Sequence, residues 1–260
     1  MVAMVEPVTE FVLEAPAGPI KISAKCKDGK CVNVTFVNTP SFALQSDLGV
    51  EIDVPGGVGK VTVDVSYGGM WYAIVDGPSI GLTVQPSEAS EIVRLGEMIK
   101  VACREQHPVQ HPTLDYPGCD IMCIRGPASD KGKELHGVTS RNAVVMSTGV
   151  LDWNNPATWK GNIDRSPCGS GTSAVMAAMY AKGELGLNEE FVHESILGTV
   201  FTGRLIEEVT IADGIKAVIP SVTGQAWVTQ HSQIVVDPTD PLGREGYTLG
   251  DIWASSTIAN

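Results

Sequence analysis

Asp164-Arg165-Ser166-Pro167-Cys168-Gly169-Ser170-Gly171-Thr172-Ser173-Ala174 is the stretch from which the rest of the chain is best read. Pro167 and the glycines are costly inside regular structure, whereas the residues from Ala174 to Lys182 are dense in strong helix formers. The spacing therefore predicts a tight turn that opens into a helix near Cys168. At a helix N-terminus the unpaired backbone N–H groups and the positive end of the dipole favour an anion. A cysteine placed there is expected to supply thiolate near neutral pH. The N–H groups of Gly169 and Ser170 are candidates to hold a carboxylate. Small residues at 169, 171, 173, 174, 177, 178 and 181 let other backbone pack close, which predicts a buried central helix.

This run resembles the signature of the proline racemase family, which includes hydroxyproline epimerases and trans-3-hydroxyproline dehydratases. The resemblance continues through Phe191-Val-His-Glu-Ser-Ile-Leu-Gly198, Val200-Phe-Thr-Gly-Arg204, Val222-Thr-Gly-Gln-Ala226 and Asp237-Pro-Thr-Asp-Pro241. Upstream it reaches Val65-Ser-Tyr-Gly-Gly-Met-Trp-Tyr-Ala-Ile-Val75, so nearly the whole chain is covered.

The resemblance implies an α+β, diaminopimelate-epimerase-like fold with pseudo-two-fold halves, each a β-sheet or barrel around a central helix. It also implies two cysteines facing each other across the substrate. Cys168 matches the second, and the Met-Cys-Gly-His motif of the first is not visible in this sequence. The first half is accordingly expected to lack its opening strands and helix. In the family the aspartate matching Asp164 contacts the ring nitrogen of the substrate, a sensible counter-ion for a secondary ammonium.

The implied chemistry is cofactor-independent removal of the α-proton of proline or a hydroxyproline by Cys168. A planar carbanion reprotonated by the same thiol returns the original enantiomer, so inversion needs a second group across the cleft. One cysteine alone is expected to exchange the proton slowly or not at all and not to invert. Two alternatives stand beside this reading: a trans-3-hydroxyproline dehydratase, and a non-catalytic imino-acid-binding remnant. Retention of Cys168, where certain dehydratases carry threonine, leans toward the racemase and epimerase branch.

Composition sets the outer bounds. At 260 residues the chain can bury one large or two modest cores. A net charge of −12 argues against a nucleic-acid or anionic-membrane partner, which would need a basic patch. No apolar run approaches the length of a membrane span, and residues 1–7 read as neither signal peptide nor anchor. Six cysteines in a chain of this size do not make a dense disulfide framework, and a reducing cytoplasmic setting is expected. The partners implied are a small-molecule substrate and a second copy of the chain in a homodimer.

Along the chain, strands are predicted over 11–14, 20–25, 32–38, 50–54, 60–66 and 71–75, with Cys26 and Cys31 flanking a hairpin turn. Gly68-Gly69 suggests a bulge or a close approach of other backbone. Ser87 reads as an N-cap opening a helix to about 106. Strands resume over 119–124 and 140–146, then at 196–204, 207–211, 215–221, 224–230 and 233–236.

This gives an incomplete, mostly β first half over 1–85 and a crossing helix and linker over 86–112. A C-terminal half over 113–236 follows, with its central helix at 168–183, and a tail over 237–260 returns to the first half. His107, His111, Cys119 and Cys123 invite a zinc site, but alternate strand positions do not readily present two thiolates to one tetrahedral ion. Arg204 reads as an ion-pair partner and Asp237 as a turn former.

Overall fold

The computed structural model describes residues 2–15 and 18–241. The part of the 237–260 tail from 242 onward lies outside the described residues. The chain divides into two units, Met1–Gln225 and Ala226–Asn260. Among the described residues every helix and strand belongs to the first unit. Residues 226–241 of the second carry none, so the strands predicted over 224–230 and 233–236 do not form, apart from Gly224 at the end of a longer strand.

Twelve strands of the described residues make up the sheet: β1 (Val8–Ala15), β2 (Gly18–Lys27), β3 (Lys30–Val37), β4 (Val50–Val54), β5 (Gly59–Tyr67), β6 (Trp71–Asp76), β7 (Ile121–Gly126), β8 (Ser140–Ser147), β9 (Gly161–Ile163), β10 (Glu190–Ser195), β11 (Val200–Thr210) and β12 (Lys216–Gly224). Three α-helices accompany them: α1 (Ala89–Gln106), α2 (Asp130–His136) and α3 (Gly169–Ala181). The order is β1-β2-β3-β12-β11-β10-β8-β7-β6-β5-β4, with β9 beside β8. Of these pairings, β6/β7 and β8/β10 are parallel and the rest antiparallel.

Strand alternation explains the two cores. Trp71, Ala73 and Val75 of β6, Met122 and Ile124 of β7, and Ala143 and Val145 of β8 face α1 and pack with Ile92, Leu95, Met98 and Ile99. Their sequence neighbours Tyr72, Ile74, Ile121, Cys123 and Val144 point the other way, onto Ala174–Ala178 of α3. The sheet is thus buried on both faces here, which is why these strands read as nearly continuous apolar runs.

Around α3 the sheet closes on itself. Ser41 bridges to Val218 of β12 and Phe42 to Tyr67 of β5, so the short segment after β3 links two strands that stand far apart in the sheet order. The predicted wrapping of strands about one buried helix is what this closure produces. Its tightest point is Gly68, where an added Cβ would lie 2.3 Å from the Ser170 carbonyl oxygen and 2.4 Å from the Ala174 nitrogen. Gly68 of the pair marks the close backbone approach that the sequence suggested.

Some local readings differ from what forms. A 3₁₀ turn over Pro86–Glu88 precedes α1, and the Glu88 carboxylate, rather than Ser87, accepts the N–H groups of Thr83 and Gln85. The strands read over 196–204 and 207–211 are one, β11, and the gap between them falls on its register shift between Leu205 and Glu207. Cys26 and Cys31 do pair across the β2/β3 hairpin.

Candidate active site

Cys168 is the N-cap of α3 and sits half-buried at φ 64°, ψ 125°. A non-glycine residue rarely adopts such a backbone, and where one does the surroundings must hold it there. Four hydrogen bonds of the turn do so from the front. Ser166 Oγ accepts the Cys168 N–H at 3.1 Å. Asp164 Oδ1 in turn accepts the Ser166 N–H and hydroxyl at 2.9 and 3.1 Å. Cys168 Sγ itself accepts the Gly171 N–H at 3.4 Å, as a capping side chain does.

From behind, the Pro167 carbonyl is gripped by two buried donors, Asn142 Nδ2 at 2.8 Å and Thr172 Oγ1 at 3.3 Å. Thr172 Oγ1 also lies 3.0 Å from His193 Nδ1. The threonine has one proton: given to Pro167, it makes His193 the donor from Nδ1 with its lone pair on Nε2, and given to His193 Nδ1, it leaves the ring N–H on Nε2. Burial, with the nearby Arg125 charge, pushes His193 down to about 3, so the ring is neutral at working pH. Among the described residues His193 Nε2 and Asn142 Oδ1 have no hydrogen-bond partner.

Tyr72 completes the cluster. Its ring is fully buried and its hydroxyl lies 3.3 Å from Cys168 Sγ and 2.7 Å from Ser170 Oγ. Burial first, then the neighbouring Cys168 sulfur, holds the phenol well above its ordinary value of 10, so it stays protonated. Cys123, fully buried under α3, is pushed by burial up to about 12 and is no nucleophile.

Gly169 and Ser170 are the first two residues of α3, so their N–H groups have no intrahelical acceptor. The structure therefore brings together Cys168, Asp164, Gly169 and Ser170 at one half-buried helix start. Sequence reasoning did not single out Tyr72, Asn142, Thr172 or His193. Tyr72 stood only inside a resembling segment, and nothing in a β6 alternation distinguishes a core tyrosine from one whose hydroxyl meets a sulfur.

The zinc candidates are dispersed. His107 meets Asp47 at 3.0 Å, His111 packs on Tyr67, Cys119 pairs with Cys103, and Cys123 lies beneath α3. Among the described residues no group of three or more histidines, cysteines and carboxylates is arranged to hold a metal ion. Arg204 forms its expected ion pair, with Glu190 at 2.5 Å.

The helix start just described lies within the reach of a family model described as proline racemase, which matches residues 1–248. The chain belongs to this family. It is 39% identical over 250 residues to a proline racemase of Clostridioides difficile, covering 96% of this chain and 68% of that protein. A 4-hydroxyproline 2-epimerase of Streptosporangium roseum is 41% identical over 251 residues, again 96% of this chain and 68% of the relative. Among solved structures, a hydroxyproline epimerase from Agrobacterium vitis with bound trans-4-hydroxy-L-proline superposes with a TM-score of 0.78 at 34% identity. That match covers 97% of this chain and 66% of the other. The family is one of isomerases, and the expected α+β, diaminopimelate-epimerase-like fold stands.

Proposed function

We propose that this protein removes the α-proton of proline or 4-hydroxyproline with the Cys168 thiolate, as a cofactor-independent racemase or epimerase. The observation that carries the reading is the half-buried sulfur at the start of α3, beside the N–H groups of Gly169 and Ser170 and the carboxylate of Asp164. In this reading the substrate carboxylate sits on those N–H groups, where the helix dipole also stabilises the charge that the carbanion pushes into it. Asp164 Oδ1 is engaged by Ser166, and the second oxygen meets the ring ammonium. The Cα–H bond breaks, its proton joins Sγ, and its electron pair delocalises into the carboxylate.

Inversion requires a proton donor on the opposite face of the carbanion. Tyr72 and Ser170 lie against the sulfur and so on its own side. The dehydratase and the non-catalytic remnant are less favoured, since the named relatives are a racemase and an epimerase. The same reading places the protein in the cytoplasm as a homodimer. Six free thiols are consistent with the compartment, and the exposed Val8 and Val12 on one face of the edge strand β1 offer a surface for a second copy. Among the described residues no helix is long and apolar enough to cross a membrane.

Incubation of L-proline, trans-4-hydroxy-L-proline and trans-3-hydroxy-L-proline separately in D₂O, followed by NMR and chiral chromatography, tests the proposal. Slow deuterium incorporation at Cα without inversion, lost in Cys168→Ser, is the expected result, since serine keeps the shape but ionises far less readily. Exchange that persists in Cys168→Ser would remove this thiol from the mechanism. Loss of water from the 3-hydroxy compound would move the chain to the dehydratase branch.

A further inference from the structure

Tyr72 Oη has two close polar neighbours, Cys168 Sγ at 3.3 Å and Ser170 Oγ at 2.7 Å, while Ser170 Oγ is 3.7 Å from the sulfur. The tyrosine is fully buried, so water does not compete for its hydroxyl. Gly171 leaves the space between them open: a Cβ there would sit 3.3 Å from Tyr72 Cε1 and 3.4 Å from Sγ. Both hydroxyls can donate one hydrogen bond and accept others, whereas a thiolate only accepts and a thiol can donate.

We propose that Tyr72 and Ser170 form a hydrogen-bond relay that reverses direction whenever Cys168 gains or loses its proton, so that the sulfur is held in both states of the reaction. With Cys168 as thiolate, the phenol donates to Sγ and Ser170 donates to the phenolic oxygen. Once the substrate α-proton has moved to sulfur, the S–H donates to the phenolic oxygen and the phenol turns its own proton to Ser170. Both hydroxyl protons rotate and neither leaves its oxygen, so the only bonds exchanged are Cα–H for S–H.

Tyr72 touches the reacting sulfur and is a catalytic residue in this scheme. The Ser170 side chain acts through it and is a positioning residue, a role separate from that of its backbone N–H. A phenol used only for packing would gain nothing from its hydroxyl. The relay requires the hydroxyl because a buried hydrogen bond to a charged group is worth about tenfold or more in the population of that charge.

The scheme rests on Cys168 being the base, and the experiment separates the two claims. Tyr72→Phe keeps the ring and removes the hydroxyl, while Ser170→Ala keeps the backbone N–H. Alkylation of Cys168 by iodoacetamide at fixed pH, without substrate and resolved by peptide mass spectrometry, is measured beside α-proton exchange. For Tyr72→Phe we expect about tenfold slower alkylation and a similar fall in kcat for exchange, with KM within about twofold. Ser170→Ala should lose less, about threefold, and add nothing in the Tyr72→Phe background because it acts through that hydroxyl.

Unchanged alkylation in Tyr72→Phe overturns the relay, as does a Ser170→Ala loss that adds fully to it. Should Tyr72→Phe not fold, unchanged alkylation in Ser170→Ala overturns it alone. If Cys168→Ser abolishes exchange while Tyr72→Phe behaves as wild type, the relay falls and the thiolate base stands; if Cys168→Ser still exchanges, the base itself is wrong.

Discussion

The two long helices lie on opposite faces of the same strands, yet their first turns are used differently. Ahead of α1 stands the 3₁₀ turn over Pro86–Glu88: the Glu88 carboxylate accepts the N–H groups of Thr83 and Gln85 at 3.1 and 2.8 Å, and the Ala89 N–H at the start of α1 goes to the Pro86 carbonyl, so the protein's own backbone closes the helix entry. Ahead of α3 the capping atom is Cys168 Sγ rather than a carboxylate, and the N–H groups of Gly169 and Ser170 are the ones the proposed function gives to the substrate carboxylate. The same property of helix termini is satisfied within the protein at one helix and, in the proposed function, serves an anionic substrate at the other.

The interiors differ as well. In α1 Glu97 and Lys100 are both fully buried and paired at 2.6 Å, with the Ser147 hydroxyl bonded to both. In α3 the buried residues 174–178 are all apolar, and its buried polar side chains, Thr172 and Ser173, lie near its start. If α1 is scaffold and α3 carries the chemistry, breaking the pair should cost stability and not catalysis. Lys100→Ala leaves a buried carboxylate alone and should lose about 3–5 kcal/mol in urea denaturation, the largest effect expected. The double replacement Glu97→Leu, Lys100→Met should recover most of that loss and keep the wild-type rate of α-proton exchange. A slow but stable double variant would mean that α1 reaches the site.

A smaller effect separates the buried back of the site from its front. His193 is held at about 3 by burial, below the value near 6.5 of an unfolded histidine. Between these values the unfolded chain binds one proton more than the folded one, so stability rises with pH across the window and falls on acidification. From pH 6.5 to 5 the loss attributable to His193 should be about 1.5–2 kcal/mol, read as the difference between wild type and His193→Gln. The depressed Glu194 carboxyl acts in the same direction but below its ordinary value of 4.5, outside this range. Identical pH slopes for the two proteins would show that His193 does not titrate as a buried neutral ring.

What the sequence made legible follows the same division. The turn and helix at 164–174 could be read because proline, glycine and a run of alanines act locally, within one or two turns of chain. The strands from β1 to β6 could be read because turn residues bound each one. β10 was missed: Glu190-Phe-Val-His-Glu-Ser195 carries two carboxylates and a histidine, and tertiary partners make such a strand buriable, Arg141 and Ser129 for Glu194 and Thr172 for His193. The helix α2 was missed because its seven residues are short and charged, and Ser129, held by the Glu194 carboxylate from 65 residues away, supplies its cap. The clamp on Pro167 joins residues 142, 172 and 193, and no local pattern reports a contact across that distance.

The sharpest remaining test concerns the opening turn of α3, where Asp164 has two uses that a single deletion would confuse. Its Oδ1 organises the turn through Ser166, which in turn holds the Cys168 N–H, so Asp164→Ala removes a structural acceptor together with the charge. Asp164→Asn keeps a side-chain oxygen for Ser166 and removes only the charge. If the second oxygen meets the ring ammonium, Asp164→Asn should weaken binding of L-proline by about tenfold, the scale of a charge-assisted hydrogen bond. Cyclopentanecarboxylate has the same ring size and carboxylate but no nitrogen, and its binding should change by less than about twofold. Calorimetric titration of both ligands against both proteins reads the difference directly. Equal weakening for the two would assign Asp164 to the turn alone and leave the ring nitrogen to another partner.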